Sequence, residues 1–184
     1  MPARGKPRAR WGRRLLVVLL LALALWAAWE VATWPDVTRL ARERPATTAF
    51  IEDYRARLRA QGKPDRVDWA WTPYAAISAD LKRAVLVAED INFFAHRGFD
   101  LGEVQNALTE AMRDRERPRG ASTITQQLAK NLWLSPSRNP WQKLKEAILT
   151  WQLERALSKR RILELYLNVA EFGPGVFGAG AASR

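Results

Sequence analysis

From residue 80 onward the apolar positions recur every three or four residues, the spacing of helices that bury one face. The clearest case spans residues 120–131, GASTITQQLAKN, where Ile124, Leu128 and, just beyond, Leu132 form one stripe. Thr123, Gln127, Lys130 and Asn131 follow at i, i+4, i+7 and i+8 and share a second face. That face carries a hydroxyl, two carboxamides and one cation, where a solvated helix would carry Glu and Lys. Ser and Thr are also poor residues for a helix interior. Two readings stay open. Either the face displays fixed hydrogen-bonding groups to a polar, anionic ligand, or it is the uncharged exposed side of a helix capped by Ser122.

The neighbouring segments read the same way. Leu81, Ala84, Val85 and Ala88 mark a buried stripe that runs into residues 89–100, EDINFFAHRGFD. Asp100 and Glu103 form a capping box for a helix carried by Leu101, Val104, Leu108 and Met112. A charged loop with Pro and Gly, residues 113–120, should be mobile. Asn139 and Pro140 start another helix as cap and first residue. Trp141, Leu144, Ile148, Trp151 and Arg155 follow one of its faces while Leu149, Leu153 and Ala156 cover others, the pattern of a helix buried on most sides. Ser158 caps a last helix with Ile162, Leu165, Tyr166 and Val169 inward, and a glycine-rich turn, FGPGVFGAG, follows. No strand pattern and no repeat emerge. The fold is expected to be mainly α, with the principal domain over residues 80–184.

The first third of the chain differs. Residues 1–14 hold six cations (Arg4, Lys6, Arg8, Arg10, Arg13 and Arg14) and no acid, and residues 15–29 are uncharged and apolar. Those fifteen residues span about 22 Å as a helix, short of a roughly 30 Å hydrocarbon core, and extension to Trp34 fills the gap. A cleaved signal peptide has the same basic and apolar order. Trp26, Trp29 and Trp34 stand where small residues would be needed for cleavage, and they suit an interfacial belt. The expectation is a retained single-pass anchor over 15–34, with the basic tail 1–14 in the cytoplasm and the rest outside. Residues 35–79, broken by Pro45, Gly62, Pro64 and Pro73, read as a polar connector with a short helix near 48–60. Trp69, Trp71 and Tyr74 should pack on the main domain, because loose aromatics this dense would be a liability.

Composition narrows the chemistry. The 184 residues contain no cysteine and one histidine, His96, which excludes thiol nucleophiles, iron–sulfur clusters and His-rich zinc sites. The net charge of +11 favours an anionic partner. Six of those charges precede the anchor, and outside the cytoplasm nucleic acid is not an expected partner. No organic cofactor is expected.

Three features carry candidate chemistry. Glu89 and Asp90 end an apolar helix beside Phe93 and Phe94, and a carboxylate desolvated by rings gains basicity, as a general base requires. The alternative is a plain exposed acid at a helix end. Glu146 lies mid-way along an apolar helix with Lys143 one turn before it, either an ordinary ion pair or a second carboxylate facing the same cleft. Lys130, Arg138 and Lys143 can hold a phosphate or pyrophosphate, or form a solvated basic patch. For His96 a turn-stabilising hydrogen bond is expected over catalysis. Two carboxylates admit glycoside hydrolysis or synthesis from a phosphate-activated sugar, and the cations and the anchor favour synthesis.

Glu89-Asp90-x-x-Phe93-x-x-His96-x-Gly98 and Gly120-x-STITQQLxKN resemble the first two signature motifs of the family 51 peptidoglycan glycosyltransferases. Lys143 with Glu146 resembles the third, and Lys159-x-x-Ile162-Leu163-Glu164-x-Tyr166-Leu167-Asn168 the fourth. With no Ser-x-x-Lys and a single anchor, the resemblance is to the monofunctional members. It implies a lysozyme-like helical domain in the bacterial inner membrane, on its periplasmic side, polymerising lipid II. Glu89 would deprotonate the acceptor 4-hydroxyl as it attacks the donor C1 with inversion. Glu146 would position the substrate and, through a divalent metal such as Mg2+ or Mn2+, its pyrophosphate. Lys130 and Arg138, with Lys143, would offset charge on the leaving undecaprenyl pyrophosphate. Asp90, Phe93, His96, Ser122, Thr123, Gln126, Gln127 and Asn131 would shape the site, and residues 99–119 would form a mobile jaw. Lipid II, the growing glycan, the membrane and other cell-wall synthesis proteins are the expected partners. A lytic glycosidase of similar fold and an inactive anchored lipid II-binding module are the alternatives. The third motif usually has Arg before its Lys; Gln142 stands there, removing a cation for which Arg138 and Lys145 would compensate. Family domains continue past the glycine-rich turn, so the domain is expected to be truncated at Arg184.

Overall fold

The structure, a computed structural model, describes residues 8–114, 120–136 and 139–184. The start of the basic tail, most of the 113–120 loop, the end of the expected jaw and Arg138 therefore lie outside the described residues. The chain divides into two compact units, Met1–Asp36 and Val37–Arg184.

The first unit is one helix, α1 (Arg8–Ala32), exposed from Trp11 to Trp29. Its 25 residues span about 37 Å, enough for a hydrocarbon core. Among the described residues it is the one helix long and apolar enough to cross a membrane, with a mean hydropathy of 2.4 over its most apolar stretch. The helix begins inside the stretch expected as a basic tail and stops at Ala32, two residues before the expected end.

The second unit runs, in chain order, through a 3-10 turn (Val37–Ala41), α2 (Ala49–Ala60), β1 (Asp68–Trp69), a second 3-10 turn (Tyr74–Ala76), α3 (Ala79–Glu89) and α4 (Leu101–Asp114). It continues with α5 (Ile124–Trp133), α6 (Pro140–Ala156), α7 (Lys159–Val169), β2 (Glu171–Gly173), β3 (Val176–Phe177) and α8 (Ala179–Ala182). The unit is mainly helical. Helix α5 sits at its centre, packed against α6, α7 and α2. Its stripe of Ile124, Leu128 and Leu132 is buried, together with Leu149 and Leu153 of α6 and Ile162, Leu163, Leu165 and Val169 of α7. Each such side chain contributes about 1.5–3 kcal/mol by leaving water.

Residues 37–79, expected as a connector, are folded into this unit. The 3-10 turn at Val37–Ala41 packs on α6 and α2 on α5. Arg161 of α7 donates through Nε to the Leu40 carbonyl (2.8 Å) and through Nη2 to the Glu43 carbonyl (2.7 Å). Asn168 does the same for residues 69–72: its amide accepts from Thr72 N and donates to the Thr72 and Glu164 carbonyls, while its own carbonyl accepts from Trp69 Nε1. Truncating this buried side chain removes the partner of the Thr72 N–H and of the Thr72 carbonyl. Asn168→Ala should therefore lose about 2 kcal/mol in urea unfolding, and a change within error would deny it this stapling role.

The expectation of no strands is corrected by a small sheet of order β1-β3-β2, β1 parallel and β2 antiparallel to β3. Strands of two or three residues are too short to show alternation. Three apolar stripes also face otherwise than expected. On α3, Leu81 and Val85 are half-buried, Ala84 and Ala88 are exposed, and no residue is buried. On α4, Leu101, Val104 and Met112 are exposed while Ala107 is buried. On α6, Leu144 and Trp151 are 50% and 52% exposed and Ile148 is 37% exposed. The buried face of α6 carries Glu146, Leu149, Thr150 and Leu153 instead. Asp100 does cap α4, accepting from the Glu103 N–H at 2.9 Å. That bond, with a second from Asn92, holds its carboxyl below the ordinary aspartate value. The cap's contribution is thus complete above that value and fades as pH falls through the lowered one.

Candidate active site

Asp90 joins the first and second motifs. It is the residue after α3, and its carboxylate is buried with both oxygens engaged. Oδ2 accepts from the Ile124 N–H at the start of α5 (3.0 Å). Oδ1 lies 2.8 Å from His96 Nε2. The Gly98 N–H donates to His96 Nδ1 (3.2 Å), so Nδ1 is the acceptor and Nε2 carries the proton given to Asp90. His96 is therefore a turn residue, as expected from its place before Arg97-Gly98. Gly98 itself has φ +89, and a Cβ there would lie 2.8 Å from Thr150 Cγ2 on α6. Only glycine fits both conditions.

The cap of α5 is Thr123, not Ser122. Thr123 Oγ1 accepts from Gln126 N, and Gln126 Oε1 accepts from Thr123 N, a reciprocal capping box. The Thr123 hydroxyl proton goes to the Gly98 carbonyl at 2.7 Å. Thr123 is thus buried at the turn while Ser122 stays exposed. With two adjacent hydroxyls the pattern could not choose between them; the Asp90–Ile124 bond sets the register.

A second network holds the underside. Glu154 on α6 accepts from Thr125 Oγ1 (2.5 Å) and pairs with Lys159 Nζ (2.8 Å). The Lys159 ammonium stands 4.3 Å from the centroid of the buried Phe93 ring. The partners of Glu154 lie on two other elements, α5 and α7, which helical spacing within α6 does not signal. Phe93 also meets His96 and Phe94 edge-on.

Glu89, the last residue of α3, is exposed, so the desolvation expected from Phe93 and Phe94 is not what the fold provides. Phe93 turns into the core and Phe94 is itself exposed. The carboxylate is held instead by a hydrogen bond: Gln127 Nε2 donates to Glu89 Oε2 at 2.8 Å. Gln127 Oε1 accepts from the hydroxyl of Tyr166 on α7 at 2.9 Å. Helical spacing gives Tyr166 as an inward-facing residue of the fourth motif, and nothing in that spacing signals a polar contact.

Lys130, Lys143 and Glu146 come together. They line a cavity of about 340 Å3 with Ser122, Gln126, Gln127, Asn131 and Phe50. Phe50, on α2, lies in the stretch read as connector, and the Lys130 ammonium stands 5.6 Å from its ring centroid. Glu146 is 7% exposed and its Oε1 pairs with Lys143 Nζ, the ion pair foreseen as one alternative. An adjoining cavity of about 420 Å3 shares Lys130, Lys143 and Glu146 and is walled by Ser135, Asn139 and Gln142. Gln142 donates to Ser135 Oγ at 2.6 Å, and its Oε1 is buried without a hydrogen-bond partner among the described residues. Glu89 and Asp90 do not line these spaces. They wall a third cavity of about 180 Å3, where Ser122 again contributes. Gln127 bridges the two sides, since it lines the cationic cavity and bonds to Glu89. Chemically this is an accessible carboxylate beside a hollow with two ammonium groups and a buried acid. It suits proton removal next to a departing anion.

The transglycosylase family profile matches residues 56–184. Biosynthetic peptidoglycan transglycosylases from three organisms are similar to the chain over nearly its whole length. That of Azoarcus sp. (strain BH72) is 47% identical over 181 residues, 95% of this chain and 74% of that protein. That of Laribacter hongkongensis is 44% identical over 174 residues, 94% and 73% respectively. That of Methylobacillus flagellatus is 43% identical over 173 residues, again 94% and 73%.

Proposed function

The chain belongs to the transglycosylase family, and from that membership we propose that it joins lipid II units into glycan strands at the outer face of the bacterial inner membrane. It is a peptidoglycan glycosyltransferase with a mainly helical, lysozyme-like domain. The observation that carries the assignment of roles is the bridge from Glu89, through Gln127, to the cavity of Lys130, Lys143 and Glu146.

Glu89 accepts the proton of the acceptor 4-hydroxyl as that oxygen attacks C1 of the donor. The new C1–O bond forms as the C1–phosphate oxygen bond breaks, with inversion at C1. Undecaprenyl pyrophosphate leaves with the electron pair. Lys130 and Lys143 face that developing charge, which costs little reorganisation because both are already in place. Lys143 would then be shared between Glu146 and the pyrophosphate.

Among the described residues no three Asp, Glu or His side chains converge as a metal cage. Glu146 would be the protein carboxylate that holds a Mg2+ or Mn2+ at this cavity. Such an ion would supply neutralisation of the leaving group. The six cations before residue 15 support an orientation with the N-terminus in the cytoplasm, by the positive-inside rule, and the catalytic unit outside.

Incubating the purified protein with lipid II in detergent tests this function. Glycan polymer is the expected product. Soluble fragments released from preformed peptidoglycan with no polymer would point to lytic cleavage, and binding of lipid II without turnover to a non-catalytic module.

A further inference from the structure

Among the buried hydroxyls that the mechanism does not use is that of Tyr166 on α7, a residue 6% exposed. It donates to Gln127 Oε1 at 2.9 Å, and Gln127 Nε2 donates onward to Glu89 Oε2 at 2.8 Å. The same Nε2 lies 3.4 Å from the Ser122 carbonyl. A carboxylate and a backbone carbonyl only accept, so the amide NH2 must face Glu89 and Ser122, and its oxygen must face the tyrosine. Tyr166 is then obliged to donate. Burial, together with the nearby Glu89 charge, raises its hydroxyl well above the ordinary tyrosine value, so it keeps the proton it gives. Each polar group of the Gln127 amide has a partner, which leaves this side chain one orientation.

We propose that Tyr166 is a positioning residue for the reaction: through Gln127 it fixes the Glu89 carboxylate, holding Oε2 in a donated hydrogen bond and leaving Oε1 to take the acceptor's proton. This rests on Glu89 being the base. Tyr166 touches neither the carboxylate nor, in this arrangement, the reacting atoms. Linked donors polarise one another, so the bond to Glu89 is stronger when the tyrosine stands behind it. Without the hydroxyl the amide oxygen loses its partner, and the side chain is held only through its NH2 contacts to Glu89 and Ser122.

Tyr166→Phe removes the donor and keeps the buried ring. Its kcat for lipid II polymerisation is expected to fall about tenfold, with KM unchanged within about twofold. Gln127→Met, which breaks the chain in its middle, should lose at least as much kcat. In the Gln127→Met background, Tyr166→Phe should add no more than about twofold. A tyrosine that mattered only for packing would give an independent, multiplicative loss instead. Unchanged kcat in Tyr166→Phe, or full additivity of the two substitutions, overturns the inference while leaving Glu89 as base. Polymerisation surviving in Glu89→Gln would remove the base itself, and this inference with it.

Discussion

Glu89→Gln is expected to lower glycan polymerisation by at least about a hundredfold. The substitution is nearly isosteric, and its amide oxygen can still accept from Gln127 Nε2, so the 2.8 Å contact at the end of α3 survives. What is lost is a site able to hold the acceptor's proton. Removing a positioned general base costs about a hundredfold to ten-thousandfold in rate. The residue is exposed and makes no contact that the core depends on, so the melting temperature should stay close to that of the wild type. Single-turnover assays with radiolabelled lipid II separate chemistry from binding. A variant that polymerises within tenfold of the parent would remove Glu89 from the role of base.

The second large effect is on stability. Asp90→Asn should lose about 3 kcal/mol in guanidinium unfolding. The carboxylate accepts from His96 on one oxygen and from the Ile124 N–H on the other. Asparagine has one oxygen, so in either orientation an NH2 meets an N–H and two donors face each other in a buried place. Rotating the His96 ring would not help, because Nδ1 is committed to the Gly98 N–H. Activity should fall as well, since this carboxylate ties the end of α3, where Glu89 sits, to the start of α5. A loss under about 0.5 kcal/mol would show that the two N–H groups find other acceptors.

Much of the core was legible because it obeys one period. The stripe of Ile124, Leu128 and Leu132, the caps at Ser158 and Asn139, and the inward face of α7 all follow from local spacing and local hydrogen bonds. Which of two apolar faces is covered does not. Helix α6 carries Leu144, Ile148 and Trp151 on one side and Leu149 and Leu153 on another, and spacing treats them alike. The buried side is the one holding Glu146 and Thr150, whose polar atoms find partners within the helix: Thr150 Oγ1 donates to the Glu146 carbonyl and Glu146 pairs with Lys143. A sequence pattern prices those residues as surface.

The site was legible through its polar residues and opaque in their division of labour. Thr123 stands on the expected ligand face and Gln126 among the residues the resemblance assigns to the site, yet their hydrogen bonds close the α5 cap and reach Gly98. Asp90 and His96 brace the turn. Phe50 and Tyr166 come from α2 and α7, elements that reach the cavity and Glu89 only once the chain has folded. Long-range hydrogen bonds of this kind leave no periodic trace.

The central claim is that the hollow between α5 and α6 receives the pyrophosphate of the substrate on which Glu89 acts. Equilibrium binding of lipid II to Lys130→Ala tests it most directly, with Glu89→Gln as the companion sample. Lys130→Ala should bind about tenfold or more weakly, having lost a charge-assisted contact to phosphate, while Glu89→Gln binds within about threefold of the wild type. Undiminished binding by Lys130→Ala would contradict the claim.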